Sequence, residues 1–79
     1  MDTKEYVITI YDQFKDYAEK HTLRELAENL RYEPWDIVRL SDTMLVAKKV
    51  IGHKTEYRVR VTKTDSDVHV QVTTWEIKS

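Results

Sequence analysis

Residues 22–40 read TLRELAENLRYEPWDIVRL and decide the fold that the sequence predicts. Thr22 is followed three residues later by Glu25, the spacing of a capping box, in which each side chain hydrogen-bonds a free backbone N–H at a helix start. Apolar residues then recur at helical spacing. Pro34 suits the first turn of a helix but not its interior. The stretch predicts a helix over residues 22–30, with Leu23, Leu26, Ala27 and Leu30 on its apolar stripe, and another over residues 34–41, with Ile37, Val38 and Leu40.

The segment before this stretch, residues 3–20, also repeats apolar side chains with a helical period. At 100° per residue they fall within about 140° of arc, while Ile8 lies off the stripe and the opposite face is polar. The pattern predicts a long amphipathic first helix whose aromatic side chains belong to the core. The apolar stripe consists of Tyr6, Val7, Ile10, Tyr11, Phe14, Tyr17 and Ala18.

After Leu40 the pattern becomes that of strands. Residues 44–51 form an apolar run, and residues 55–64 alternate, with Tyr57, Val59 and Val61 on one side and polar residues on the other, which is typical of a half-buried strand. The sequence therefore predicts an α+β fold in one domain, residues 1–79. Three N-terminal helices (3–20, 22–30, 34–41) would be followed by a three-stranded antiparallel β-meander (43–51, 55–64, 67–77), with one face on the helices and one in water.

The composition narrows the class of protein. Without cysteine, the chain has no disulfide, no thiolate nucleophile and no cysteine zinc site. Its three histidines fall in separate predicted elements, without metal-ligand spacing, and no glycine-rich phosphate loop is present. We therefore expect a protein that is not an enzyme and that holds no metal and no cofactor.

The length and the apolar runs bear on location and assembly. No run approaches the roughly 20 apolar residues that span a bilayer, and the start, MDTKEYV, lacks the pattern of a signal peptide. We therefore expect a cytoplasmic protein without a membrane partner. A chain of 79 residues buries a modest fraction of its surface, and a homodimer is one way to bury more.

The charge is distributed unevenly. The net charge is −1, but residues 43–64 contain six basic residues and a single acidic one, Glu56. A local basic region can bind polyanions even when the whole chain is nearly neutral. The alternative is that these side chains only form the solvated face of the strands.

The spacing within residues 22–40 resembles the helix-turn-helix of DNA-binding regulators. A small residue at the helix crossing is Ala27, an aliphatic residue ten positions later is Ile37, and another apolar residue three positions further is Leu40. A helix-turn-helix followed by a hairpin resembles a winged helix. This resemblance implies that the helix over residues 34–41 enters the major groove and that the basic hairpin contacts the backbone nearby.

Candidate binding residues follow from the resemblance and from the predicted sheet. Arg39 could contact guanine and Trp35 a thymine methyl, unless Trp35 is a buried anchor. Trp75 shares a predicted exposed face with Arg58 and Arg60, where it could stack a base or anchor a protein partner, unless it packs on a neighbour. The candidates for nucleic-acid or partner binding are Trp35, Arg39, Lys48, Lys49, Lys54, Arg58, Arg60, Lys63 and Trp75.

Two classes of function are consistent with these patterns. The first is a small DNA-binding regulator whose partner is duplex DNA. The second is a protein-binding inhibitor or adaptor, which would cover a surface of a larger nucleic-acid-handling enzyme; the compact, cysteine-free chain resembles such proteins of phages and mobile elements. Binding of RNA or single strands by the sheet is a third reading.

Overall fold

The computed structural model describes residues 3–33 and 35–77. Two helices come first, α1 (Thr3–Lys20) and α2 (Leu23–Leu30). Four strands follow: β1 (Asp36–Leu40), β2 (Met44–Ile51), β3 (Thr55–Lys63) and β4 (Val68–Glu76). All neighbouring strands are antiparallel, and their order in the sheet is β1-β2-β3-β4. The chain is thus an α+β domain with its helices before a four-stranded meander.

Helix α1 has the bounds that the sequence predicts. Ile10, Phe14 and Ala18 are buried on its apolar stripe, with Tyr6, Val7 and Tyr17 packed beside them. Tyr11, which was predicted for the same stripe, is instead exposed at its edge. Ile8, which lies off the stripe, is 60% exposed. The helical period therefore identifies which side of α1 meets the sheet.

Helix α2 begins at the predicted capping box. The Thr22 side chain accepts from the backbone N–H of Glu25 at 3.1 Å, and the backbone N–H of Thr22 donates to Oε1 of Glu25 at 2.9 Å. Leu23, Leu26, Ala27 and Leu30 are all buried in the core. The predicted start and apolar stripe of this helix are confirmed.

A substitution at Glu25 should change how strongly the free energy of unfolding falls at acidic pH. Hydrogen bonding to Thr22, first from its backbone N–H, holds the pKa of Glu25 below its ordinary value. Because the folded-state pKa is the lower one, the stabilisation is complete above the unfolded-state pKa and is lost as pH falls through the folded-state pKa. Glu25→Gln should therefore lose less stability than the wild type on acidification, as measured by urea unfolding at neutral and acidic pH. Parallel curves would contradict this.

The predicted third helix is wrong. Residues 36–40 form strand β1, which pairs with β2 and is the outermost strand on that side of the sheet. The predicted three-stranded meander is consequently a four-stranded sheet, and residues 35–77 contain no helix that could complete a winged-helix arrangement. Pro34, which was expected to open the third helix, lies outside the described residues.

Local sequence explains why β1 forms instead. Ile37 and Val38 are β-branched and favour a strand, and a helix of eight residues such as 34–41 forms only where packing supports it. Residues 41–43 form the turn between β1 and β2. The backbone N–H of Ser41 donates to the carbonyl of Met44 at 2.8 Å and closes this turn. In the strand, Ile37 pairs with Ala47 of β2. A helix over the same residues would not form these backbone hydrogen bonds to β2.

The core lies between the helices and one face of the sheet. Tyr57, Val59 and Val61 of β3 are buried there, as their alternation predicts. Leu45 and Ala47 contribute from β2, while Val68, Val70 and Val72 of β4 pack at the edge of this core. The hairpin between β2 and β3 turns at Gly52 and His53, which both have positive φ, 64° and 58°, as a tight hairpin of this twist requires.

Candidate functional site: the open face of the sheet

The side of the sheet that points away from the helices is here called the open face. It is built from alternate residues of the four strands, so residues paired directly across the sheet share it. The exposed alternation of Arg58 and Arg60 in β3 and of Gln71 and Thr73 in β4 identifies it. The predicted sharing of one face by Arg58, Arg60 and Trp75 is confirmed by the strand register.

Cationic side chains lie in two neighbouring cross-strand rows of this face. In one row Lys48 pairs with Arg58 and Asp36 pairs with Lys48. Opposed side chains in such rows have Cβ atoms about 4.5–5.5 Å apart, so the charges form a compact group. In the next row Arg39, Val46, Arg60 and Gln71 follow one another from β1 to β4.

Trp75 lies at the end of the open face where β4 ends. Its side chain is 41% exposed, and the Arg58 guanidinium lies 5.4 Å from the ring centroid. Glu56 pairs with Trp75 across the strands, and its carboxylate lies 3.7 Å from Nη2 of Arg58. Arg58 therefore lies against both an aromatic ring and a carboxylate, which restricts its guanidinium to a defined position.

A shallow depression of about 240 Å³ lies on the open face. It is lined by one apolar residue, Val46, and by four polar or charged ones, Arg58, Arg60, Gln71 and Thr73. The two guanidinium groups can donate several hydrogen bonds each, whereas Gln71 can donate and accept. The depression could therefore receive a carboxylate or a phosphate oxygen beside an apolar group.

Three of the predicted binding residues lie on the other side of the sheet. Trp35 is 7% exposed, and its ring centroid lies 5.2 Å from that of Phe14 in α1. Nζ of Lys49 donates to the Tyr6 hydroxyl at 2.8 Å and lies 5.5 Å from the Trp35 ring centroid. Nζ of Lys63 donates to the carbonyl of His21 at 2.7 Å, just past the end of α1. These side chains support the helices and are not part of the open face.

The remaining predicted residues divide between the open face and a turn. Lys54 is exposed in the turn that joins β2 to β3, away from the cationic rows. Arg39 is exposed on the open face, although it was predicted as part of a helix. Five predicted residues are therefore brought together: Arg39, Lys48, Arg58, Arg60 and Trp75.

Alanine substitution should lower the free energy of unfolding much more at Lys49 than at Lys48. Lys49→Ala removes a hydrogen bond from a charged donor in a partly buried site, so we expect a loss of about 1–3 kcal/mol in unfolding free energy. Lys48→Ala alters the open face and should stay within about 0.5 kcal/mol of the wild type. Thermal and urea unfolding of both variants measures the difference. A larger loss at Lys48 than at Lys49 would show that the assignment of faces is wrong.

The open face and the helical half carry opposite charge. Arg39, Lys48, Arg58 and Arg60 outnumber Asp36 and Glu56 on the open face. Residues 3–33 contain seven acidic and five basic residues. The domain is therefore dipolar, and an approaching anionic surface is attracted to the open face more strongly than to the helices.

Sequence reasoning missed the contribution of β1 and β2 to this face. Val46 and Asp36 belong to it through pairing, and neither was predicted to lie on this face. The sequence does not show which face Val46 belongs to, because β2, MLVAKKVI, does not alternate apolar and polar residues. Asp36 would have been found only by treating residues 36–40 as a strand.

No family model, no characterised protein and no solved structure matches this chain. Neither α1 nor α2, the helices of the described residues, is long and apolar enough to cross a membrane. Within residues 3–33 and 35–77 no cluster of three or more histidine or acidic side chains could hold a metal ion.

Proposed function

We propose that this protein is a non-enzymatic protein-binding module, an inhibitor or adaptor, whose open face docks on an acidic surface of a larger protein. The observation that carries the proposal is the interleaving of Arg58, Arg60 and Trp75 with Val46 on a face that neither α1 nor α2 covers. Arginine and tryptophan are the residues most enriched among those that dominate binding energy at protein interfaces.

The charge of the open face sets the chemistry of the partner. Carboxylates on the partner surface can accept paired hydrogen bonds from the planar guanidinium groups of Arg39, Arg58 and Arg60. Lys48 adds a point charge in the same rows. Asp36 and Glu56 restrict where these carboxylates can sit, because like charges that face each other across an interface cost affinity. A partner with separated acidic groups fits this pattern better than a uniform polyanion.

The apolar side chains of the open face favour a protein over a purely ionic ligand. Val50 is 44% exposed and Trp75 is 41% exposed, and Val46 is half-buried between the rows. Their burial against a partner would contribute about 25 cal/mol per Å² of apolar surface. Because the residues stand on a paired sheet, their backbone is ordered before binding, which lowers the entropic cost of docking.

Binding of single-stranded nucleic acid is the second candidate. It is favoured by the position of Trp75 beside Arg58, since a base can stack on the ring while guanidinium groups contact phosphates. The net charge of −1 weakens long-range attraction of a polyanion. Duplex DNA, the partner that the sequence predicts first, would have to be bound without the helix expected over residues 34–41, because strand β1 occupies most of that segment.

Affinity capture tests the proposal against these alternatives. The tagged protein is incubated with a nuclease-treated extract of its source cells, and direct binding to an oligothymidine and to a short duplex is measured in parallel at low salt. We expect one protein to be retained in stoichiometric amount and neither oligonucleotide to bind tightly. Tight, steeply salt-dependent binding of the oligothymidine would favour the second candidate. Tight binding of the duplex alone would restore the DNA-binding prediction.

A further inference from the structure

Strand β4 is the longer of the two edge strands. Its nine residues, Val68–Glu76, pair with β3 on one side only. The backbone N–H groups of Ile77 and Thr64 donate to the carbonyls of Lys54 and Asp67, which identifies the residues of β4 that are hydrogen-bonded to β3. By alternation these are the odd-numbered ones. The N–H and C=O groups of Val68, Val70, Val72, Thr74 and Glu76 therefore point away from the sheet.

The two edges of the sheet differ in their protection. Edge strands are usually kept from pairing by shortness, bulges, proline or charged side chains. Strand β1 has five residues, a bulge between Ile37 and Arg39, and charges at Asp36 and Arg39. Strand β4 has nine residues, no proline, no lysine and no arginine, and its pairing with β3 is regular throughout. Only the β1 edge carries the usual protection.

We propose that two copies of this protein pair antiparallel through β4, centred on Val72, to form a continuous eight-stranded sheet. In this register the outward-pointing groups of each copy face those of the other, so the free hydrogen-bonding groups satisfy one another. Val70 lies opposite Thr74 of the second copy, Gln71 opposite Thr73, and His69 opposite Trp75. The only charged residue within Val68–Glu76, apart from His69, is Glu76, and it lies opposite Val68, so no like charges meet.

Helix α1 supplies a second contact beside the same edge. Its N-terminal half lies near Thr74, because Tyr6 contacts Tyr57, the partner of Thr74 in the sheet. Its last turns lie near Val68, which shares a depression with Lys15 and Glu19. Helix α1 therefore runs antiparallel to β4, and its midpoint lies close to Val72.

Two apolar side chains remain exposed at this midpoint of α1. Ile8 is 60% exposed and Tyr11 is 37% exposed. Gln13 and Tyr17 line a depression with α2, and at 100° per residue Ile8 and Tyr11 lie on the opposite flank of α1. The same twofold axis through Val72 brings Ile8 close to Tyr11 of the second copy. The side chain of Lys15, whose Nζ lies 5.7 Å from the Tyr11 ring centroid, would lie at the rim of this contact. A net charge of −1 opposes the association of two copies only weakly.

Charge substitutions on β4 test this pairing without disturbing the core. Gln71 and Thr73 are exposed on the open face, and each lies opposite the other across the proposed interface. Gln71→Lys with Thr73→Lys should raise the dimer dissociation constant about tenfold or more, because like charges then face each other twice. Gln71→Glu with Thr73→Glu should do the same. A mixture of the two variants should form a heterodimer at least as tight as the wild-type dimer.

Sedimentation velocity over a range of concentrations measures these constants. The wild type should reach twice the 9.5 kDa mass of the chain. Ile8→Glu should weaken the dimer, whereas Gln13→Glu, on the flank of α1 that faces α2, is the matched control and should not. Circular dichroism of each variant verifies that it is folded. A wild type that stays monomeric at every concentration would overturn the proposal, and so would a dimer that the paired lysines do not weaken.

Amide hydrogen exchange distinguishes this dimer from one formed by another surface. Within residues 3–33 and 35–77 of one copy, the N–H groups of Val70, Val72 and Thr74 have no strand partner, whereas those of Gln71 and Thr73 are bonded to β3. We expect protection of the first three to increase with protein concentration and protection of the other two to change little. Protection that does not depend on concentration at Val70, Val72 and Thr74 would refute pairing through β4, whatever the open face binds.

Discussion

Replacing Trp35 by alanine is expected to lower the free energy of unfolding by about 3–5 kcal/mol, because it removes a large side chain from the core. Trp35 is 7% exposed, and its ring meets Phe14 of α1 edge-on at a centroid distance of 5.2 Å. It also lies 5.5 Å from Nζ of Lys49. Small domains have total stabilities of about 5–15 kcal/mol, so this variant should be largely unfolded under mild denaturing conditions.

Two further variants keep this prediction testable if Trp35→Ala fails to fold. Trp35→Phe retains an aromatic ring and should lose less, while remaining cooperative in urea unfolding. Trp75→Ala is the matched control on the open face, where loss of the contact with Arg58 should cost no more than about 1 kcal/mol. If Trp35 were instead exposed to contact a DNA groove, its replacement by alanine would cost little stability. Equal losses at Trp35 and Trp75 would contradict the structure.

Elements with long and regular patterns were predicted well from the sequence. Helix α1 and the alternating strand β3 each have a period that continues for many residues, so the side that faces the core is defined by the sequence itself. The capping box at Thr22 and Glu25 marks the start of α2 through local hydrogen bonds. Such features need no knowledge of the rest of the fold.

Strand β1 could not be predicted in the same way. Ile37, Val38 and Leu40 fit a helical stripe as well as a strand over so short a segment. Their conformation is decided by pairing with β2, a contact between segments, and by the bulge between Ile37 and Arg39. A bulge changes which side chains share a face, so neither period describes these five residues. The resemblance to a helix-turn-helix therefore rested on spacing that a strand can also supply.

The open face could be predicted only where a strand alternates regularly between apolar and polar residues. Arg58 and Arg60 were placed correctly by the alternation of β3. Lys48 and Lys49 could not be assigned, because adjacent residues of a strand point to opposite faces and β2 has no clear period. The structure resolves this through the burial of Leu45 and Ala47, which puts Lys49 on the helix side and Lys48 on the open face.

Reversal of two charges on the open face should have the largest effect on function. Arg39→Glu with Arg60→Glu changes the two guanidinium groups that flank Val46 in one cross-strand row. If the partner presents carboxylates there, each substitution replaces an attraction by a repulsion, and loss of such pairs costs about 2–5 kcal/mol. Binding of the captured partner should therefore weaken at least about a hundredfold.

The control for this double reversal changes the same number of charges elsewhere. Lys20 and Lys54 are exposed and lie off the open face, at the end of α1 and in the turn between β2 and β3. Lys20→Glu with Lys54→Glu should leave binding within about threefold, since rim and distant charges act mainly through screened long-range forces. Both double variants should stay folded, because the four residues are exposed and the ion pair with Asp16 that Lys20→Glu removes is exposed and worth at most about 1 kcal/mol. If both variants lost binding equally, net charge and not the open face would govern recognition, and the proposed docking surface would be wrong.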